Sequence, residues 1–433
     1  MTSASNVTKQ SVYRQLLGVR AFRHLWFGQM FSQLAVNTLL FVLALRVYQN
    51  TSSNTAVSAL FLAYGVPALL FGLIAGTAVD QLDKRRMIII CDFIRALLAL
   101  LLLFTSHNIF MIYVIMFINA VITQFYVPSE APLIPKLTPS HLLVSANSLF
   151  SFTYFSSLAI GSIAAGPLLR FFGPYGIFIC IAVLFVTASL FTSGIPSQSA
   201  GTIGFRHVLN YNFVYLVRRI WTELFDGIRY VTSSKQLFDA IMLLTGTQII
   251  LALLGSLGPG FADRIFHTDV RDASLFIVGP AVAGILAGVV WVGTVGYATA
   301  PFRLIQRGLI IAGCTLVAIA GIAKLASLDM FWWLNAYHMM LPLEMALFFL
   351  LGIANSFLDV PANSILQQKA QGSLRGRVYG MLTAFVGGVG IIPVIVSGVL
   401  ADTVGIAKVI FILGVGIIAY SAFRVRYNIG TTT

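Results

Sequence analysis

Residues 76–86 read GTAVDQLDKRR, a short polar break between an apolar run at about 55–79 and another at about 87–105. A helix that crosses a bilayer needs about 20 mostly apolar residues, and both runs reach that length. Lys and Arg collect in cytoplasmic loops, so the cations Lys84, Arg85 and Arg86 mark the side of the membrane on which this break lies.

Working outward, the same reading gives ten further spans. They lie near 22–48, 108–128, 142–170, 174–194, 236–260, 273–297, 304–325, 335–359, 376–401 and 404–424. The composition agrees. Of 433 residues, 58% are hydrophobic and 9% charged, with a mean hydropathy of +0.91. A soluble domain carries roughly 25% charged residues, so an ordinary water-soluble enzyme is excluded. The net charge of +13 would suggest nucleic acid in a soluble chain. Here it is a topology signal. With both termini on the cytoplasmic side, 20 of the 27 Lys and Arg fall in inner segments and six in outer ones, leaving Arg95 inside the third span. A nucleic-acid partner is therefore not expected. The polar, basic start MTSASNVTKQSVYRQ predicts no removable signal peptide. Cys91, Cys180 and Cys314 each fall inside a span and read as small packing residues.

A polar stretch at 195–235 divides the chain into a six-span bundle at 1–194 and another at 236–433. Its later part, FRHVLNYNFVYLVRRIWTELFDGIRYV, spaces aromatics and Arg as an amphipathic helix on the inner leaflet would, or as a solvated linker helix. The halves repeat one another. Pro128 in QFYVPSEAPLIPKL matches Pro361 in FLDVPANSILQQK 233 positions later, each expected to close the fourth span of its half. Gly161, Gly166 and Gly173 match Pro393, Gly398 and Gly405, each 232 positions later. A near-constant offset indicates a duplicated six-helix unit, a design shared by many secondary transporters.

The break at 76–86 resembles the signature loop of the major facilitator superfamily: Gly76, then Asp80 four residues on, then the basic cluster with Arg85 and Arg86. It departs from that pattern at Asp83, near the place of a glycine, and the second half has Tyr297 where the acid would stand. CDFIRALLAL with Asp92 and Arg95, VPSEAPLIPKLTPSHLLVSANSLF, ELFDGIRYV and QKAQGSLRGRVYGML resemble the superfamily's drug:proton antiporter branch, which includes macrolide and enterobactin exporters. The fifth-span glycine motif of antiporters is only partial, because Arg170 and Phe171 occupy its terminal positions. The resemblance implies an all-α integral membrane protein with twelve transmembrane helices in two pseudo-symmetric bundles.

No phosphate-binding Gly-rich loop ending in Lys-Ser/Thr, zinc motif or nucleophile elbow is present, so neither an enzyme nor a metal site is expected. No cofactor is expected either. Transport would draw on a proton gradient, and the chain would act as a monomer in the bilayer on a small-molecule substrate. In the superfamily the first, fourth, seventh and tenth helices line the central cavity. On the first, Gln29, Gln33 and Asn37 keep within about 80° of one face. Asn119 and Thr123 align on the fourth, and Thr245 and Gln248 on the seventh. Such groups either line a cavity or hold helices together.

Glu344 lies about halfway along the tenth span between MMLPL and MALFFLLG. An ionised carboxylate there is expensive, which makes it a candidate proton carrier, the alternative being a structural hydrogen bond. Tyr337 and Asn355 lie within about 20° of its face. Asp92 and Arg95, three residues apart, can pair, and with Asp80 and Arg86 they are expected to latch the inner face. Glu130 and Asp359 close equivalent spans and are expected to meet basic loops carrying Arg375 and Arg377. The expected function is export of a small amphipathic compound in exchange for protons, at a bacterial inner membrane. The alternatives are a proton-coupled importer on the same fold and a non-transporting membrane receptor or enzyme.

Overall fold

The computed structural model describes residues 14–426 apart from 81, 140–141, 197–231, 233, 267, 295–298, 327–335, 370–381 and 383–390. Among the described residues every regular element is helical. The long helices are α1 (Arg20–Thr51), α2 (Asn54–Asp80), α3 (Lys84–Thr105), α4 (Ile109–Glu130), α5 (Leu143–Ser193), α6 (Lys235–Arg264), α7 (Gly279–Thr294), α8 (Pro301–Ala326), α9 (Ala336–Lys369), α10 (Ile391–Thr403) and α11 (Ile406–Arg426). Nine segments among the described residues are long and apolar enough to cross a membrane. Helix α5 holds two of the expected spans, merged across Gly173. The proposed linker helix lies outside the described residues.

The polar breaks between apolar runs become caps. Asp83 accepts from the Arg86 amide at 3.3 Å at the start of α3. Asn108 takes the Phe110 and Met111 amides at the start of α4, and Ser234 takes Leu237 at the start of α6. Gly173, with φ 71° and ψ −179°, turns the chain inside α5, and Gly405, with φ 98°, separates α10 from α11. No other glycine among the described residues has positive φ, and these two stand 232 positions apart. The sequence repeat thus places a positive-φ glycine at matching positions.

The fourth span closes two residues past its proline, whereas the tenth runs well past its own. Pro128 lies inside α4, and α9 continues through Pro361 to Lys369. Neighbouring helices supply the packing that carries a membrane helix past a proline, whose missing N–H costs one hydrogen bond.

The chain forms two compact units, one of residues 1–43 and 66–216, the other of 44–65 and 217–433. In the first, α3 packs on α4 and α5. Leu25, Ile88, Tyr126 and Phe150 belong to a continuous buried cluster. In the second, α9 is central and packs on α6, α7 and α8, while α11 packs on α8 and α10. Helices α7 and α9 meet backbone to backbone. A Cβ at Gly284 would collide with the Phe349 carbonyl, and one at Gly352 with the carbonyl of Ala281.

Candidate functional site

In the first unit, the third-span pair lies inside the helix bundle. Arg95 is 1% exposed and Asp92 fully buried. Ser32 Oγ on α1 donates to Asp92 Oδ1 at 2.7 Å, and Arg95 Nη1 donates to Ser32 Oγ at 3.2 Å and to Asp92 Oδ1 at 3.4 Å. Arg95 Nη2 donates to Thr123 Oγ1 at 2.8 Å, and that hydroxyl donates to the Asn119 carbonyl at 3.0 Å. The guanidinium lies 4.8 Å from the ring centre of Tyr126 and 5.9 Å from that of Phe185. A buried cation held by a carboxylate, two hydroxyls and two ring faces has most of its desolvation offset. Asp92 Oδ2, Arg95 Nε, Gln29 Oε1, Glu130 Oε1 and both polar atoms of the Asn119 side chain are buried with no hydrogen-bond partner among the described residues.

Of the first-span stripe, Gln29 and Asn37 are buried and Gln33 is half-buried. Asn37 Nδ2 donates to the Gln33 carbonyl at 2.9 Å, and a Cβ at Gly161 would lie 2.9 Å from the Asn37 Cβ. Asn37 therefore packs at a close approach of α5 to α1. In the 76–86 loop, Arg86 pairs with Asp83 at 3.5 Å, and Arg85 Nη2 donates to the Ser193 carbonyl at the end of α5. The surroundings of Gly76 and the side chain of Asp80 lie outside what is described, as do residues Arg375 and Arg377.

In the second unit, Glu344 has no exposed surface, and neither carboxylate oxygen has a hydrogen-bond partner among the described residues. Glu344 stands about two turns after Ala336, where the described part of α9 begins. Asn355 is 6% exposed with Oδ1 unpartnered among the described residues. Thr245 is buried and Gln248 exposed on α6. Tyr337 lies on α9, its side chain outside the described ones. Asp359 accepts from Asn363 Nδ2 at 3.0 Å and from Thr247 Oγ1 at 3.4 Å. A cavity of about 490 Å³ lies among Met242, Gly246, Leu253, Leu309, Phe348 and Leu413. Neither Thr245 nor Gln248 lines it, and it offers little to orient a polar ligand. No group of three metal-ligating side chains occurs among the described residues.

The sequence profile of the Major Facilitator Superfamily matches residues 25–394. The chain belongs to this superfamily. It is 24% identical over 378 residues to the multidrug efflux pump Tap of Mycolicibacterium fortuitum, covering 83% of this chain and 84% of that protein. It is 21% identical over 394 residues to macrolide efflux protein A of Streptococcus pyogenes, covering 89% and 90%. The fold is similar to the crystal structure of a bacterial homologue of the human lysosomal transporter Spinster, in an inward-facing and unoccupied conformation. The TM-score is 0.69 at 12% identity, covering 94% of this chain and 96% of that one. Membership of this superfamily points to a transporter rather than an enzyme.

Two polar clusters of this superfamily member escaped the sequence reading. Asp239 on α6 binds Arg424 on α11 through two hydrogen bonds, one from Nε at 3.0 Å and one from Nη2, and accepts from the Tyr420 hydroxyl at 3.1 Å. Arg424 is fully buried and stacks 5.5 Å from the Phe302 ring centre. Asp239 is an acid inside an apolar run, so the rarity argument that singled out Glu344 applied to it as well. At the other end of this unit, Asp402 accepts from Ser53 Oγ at 2.7 Å and Thr55 Oγ1 at 2.8 Å and pairs with Arg264 at 3.2 Å.

Proposed function

We propose that this transporter exports a small amphipathic compound in exchange for protons, by alternating access across a bacterial cytoplasmic membrane with both termini inside. Glu344 carries the reading. It is enclosed on α9 with neither oxygen partnered among the described residues, whereas Asp92 and Asp239 each hold an arginine. An acid kept in that state without a structural partner is suited to gaining and losing a proton. In the outward-open state Glu344 takes up a proton and substrate leaves. After reorientation the proton leaves inward and substrate binds again. Gln29, Gln33, Asn119, Thr245 and Asn355 are proposed to face the substrate, with the Asp80 to Arg86 loop governing inner closure. The names of Tap and macrolide efflux protein A support export of a drug-like amphiphile.

The test is dye efflux. Everted vesicles holding the protein and energised by a proton gradient should take up a fluorescent amphipathic cation, and Glu344→Gln should abolish that uptake. Unchanged gradient-driven uptake in Glu344→Gln would refute the role of this residue. The partial fifth-span glycine motif, with Arg170 and Phe171, favours a second reading, proton-coupled import. Accumulation in right-side-out vesicles with the gradient directed inward would select it.

A further inference from the structure

The proposed cycle leaves the cavity of the second unit unused. All of its described lining residues belong to that unit, and their chemistry is uniform. They are aliphatic, aromatic, glycine or methionine, and the one side-chain hydroxyl, that of Tyr420, is already given to Asp239 at 3.1 Å. Water in such a space finds too few partners to stay, and an empty one costs stability in proportion to its volume. Hydrocarbon is the filling that suits it.

The shape of the cavity narrows the class. On α6 the lining residues run from Met242 to Phe261, about 28 Å of helix. On α9 they run from Phe348 to Leu358, and on α11 from Ile410 to Tyr420, about 15 Å each. A volume of about 490 Å³ drawn out along three helices takes an extended chain. Gly246 is a second sign. It lines the cavity, and a Cβ there would meet nothing within 4 Å. Glycine weakens a helix relative to alanine, so bare backbone at a wall with room to spare keeps the space open.

The cavity is also tied to the polar groups of α9. Glu344, Phe348, Leu351, Asn355 and Leu358 lie within about 80° of one another around that helix. Three of them line the cavity, and the other two carry oxygens that are unpartnered among the described residues. One face of α9 thus offers carbon to a chain and polar groups to the head that such a chain carries.

We propose that this cavity holds the tail of the substrate, and that the substrates are single-chain amphiphiles. The hydrocarbon chain lies along α6, α9 and α11, and the polar head stays outside the cavity, on the face of α9 that carries Glu344 and Asn355. The proposal rests on the reading of the protein as an exporter of amphipathic compounds and names their class.

The test is isothermal titration calorimetry of the full-length protein in nanodiscs with n-alkyltrimethylammonium ions from octyl to hexadecyl, below their micelle concentrations and with empty nanodiscs as the blank. Affinity should rise about fourfold with each added methylene and level off once the chain fills the cavity. Gly246→Leu takes up part of the space and should bring that levelling to a shorter chain. If Gly246→Leu does not fold, Gly246→Ala, whose Cβ has room, serves instead, with a shift of the same sign. A wild-type affinity that never levels off overturns the proposal, as does a levelling point that is unchanged in the folded variant. Phospholipid that purifies with wild type but not with Gly246→Leu, while the chain-length profile stays the same, assigns the cavity to a bilayer lipid and also overturns it. Binding needs no gradient, so the chain-length profile is read whether or not dye uptake by everted vesicles upholds proton-driven export.

Discussion

Asp402 caps a helix to which it does not belong. Its carboxylate accepts from the backbone N–H of Asn54 at 3.1 Å and of Thr55 at 2.9 Å, the first amides of α2, 348 and 347 residues away in sequence. An N-terminal cap is normally supplied by the residue just before the helix, where loss costs about 0.5–2 kcal/mol. Here the cap also holds three side chains of the 53–55 segment and Arg264. Asp402→Ala is expected to destabilise the protein by about 1–3 kcal/mol, with Asp402→Asn losing less because its amide oxygen still accepts. Thermal unfolding in nanodiscs checks this, and an unchanged Tm in Asp402→Ala contradicts it.

The Asp239–Arg424 pair predicts a non-additive result. Removing one member leaves the other charged and enclosed, which costs about 3–5 kcal/mol, whereas replacing both with apolar groups is close to neutral. Arg424→Met should lower Tm sharply, and Asp239→Leu with Arg424→Met should recover most of the loss. A double variant no better than the worse single one would show that the pair has another role.

Backbone contact between α7 and α9 predicts that Gly352→Val yields no folded protein by fluorescence-detected gel filtration, because its Cβ would enter the Ala281 carbonyl. Gly416 serves as the control. A Cβ there meets nothing within 4 Å, so Gly416→Ala should behave as wild type.

Arg95→Lys keeps the charge but gives up the forked reach from Asp92 to Thr123 and the stacking on Tyr126 and Phe185. A loss of about 1–3 kcal/mol is expected in thermal unfolding. Full retention of stability would mean that charge alone matters at this position.

Much of the fold was legible because lipid leaves little freedom. Apolar run length gave the spans, and the 232-residue offset pointed to the two glycines that adopt positive φ. The contacts that bind the helices were not legible. Asp239 and Arg424 are 185 residues apart, and nothing local to either names its partner. Glu344 was identified as unusual from its apolar surroundings, and it is buried with neither oxygen partnered among the described residues. Ser32, which joins Asp92 and Arg95 to α1, is uncharged and belongs to no motif that would mark it in the sequence.

Gly173 is a place where the handedness of the amino acids is set aside. Its φ of 71° and ψ of −179° form a combination nearly closed to L-residues, and the mirror image of that point is an ordinary extended conformation. With no atom within 4 Å of a Cβ, space imposes nothing there. A semisynthetic chain carrying D-alanine at 173 should therefore fold like the natural one, and one carrying L-alanine should not. Chirality, not volume, is what this corner of the repeat requires.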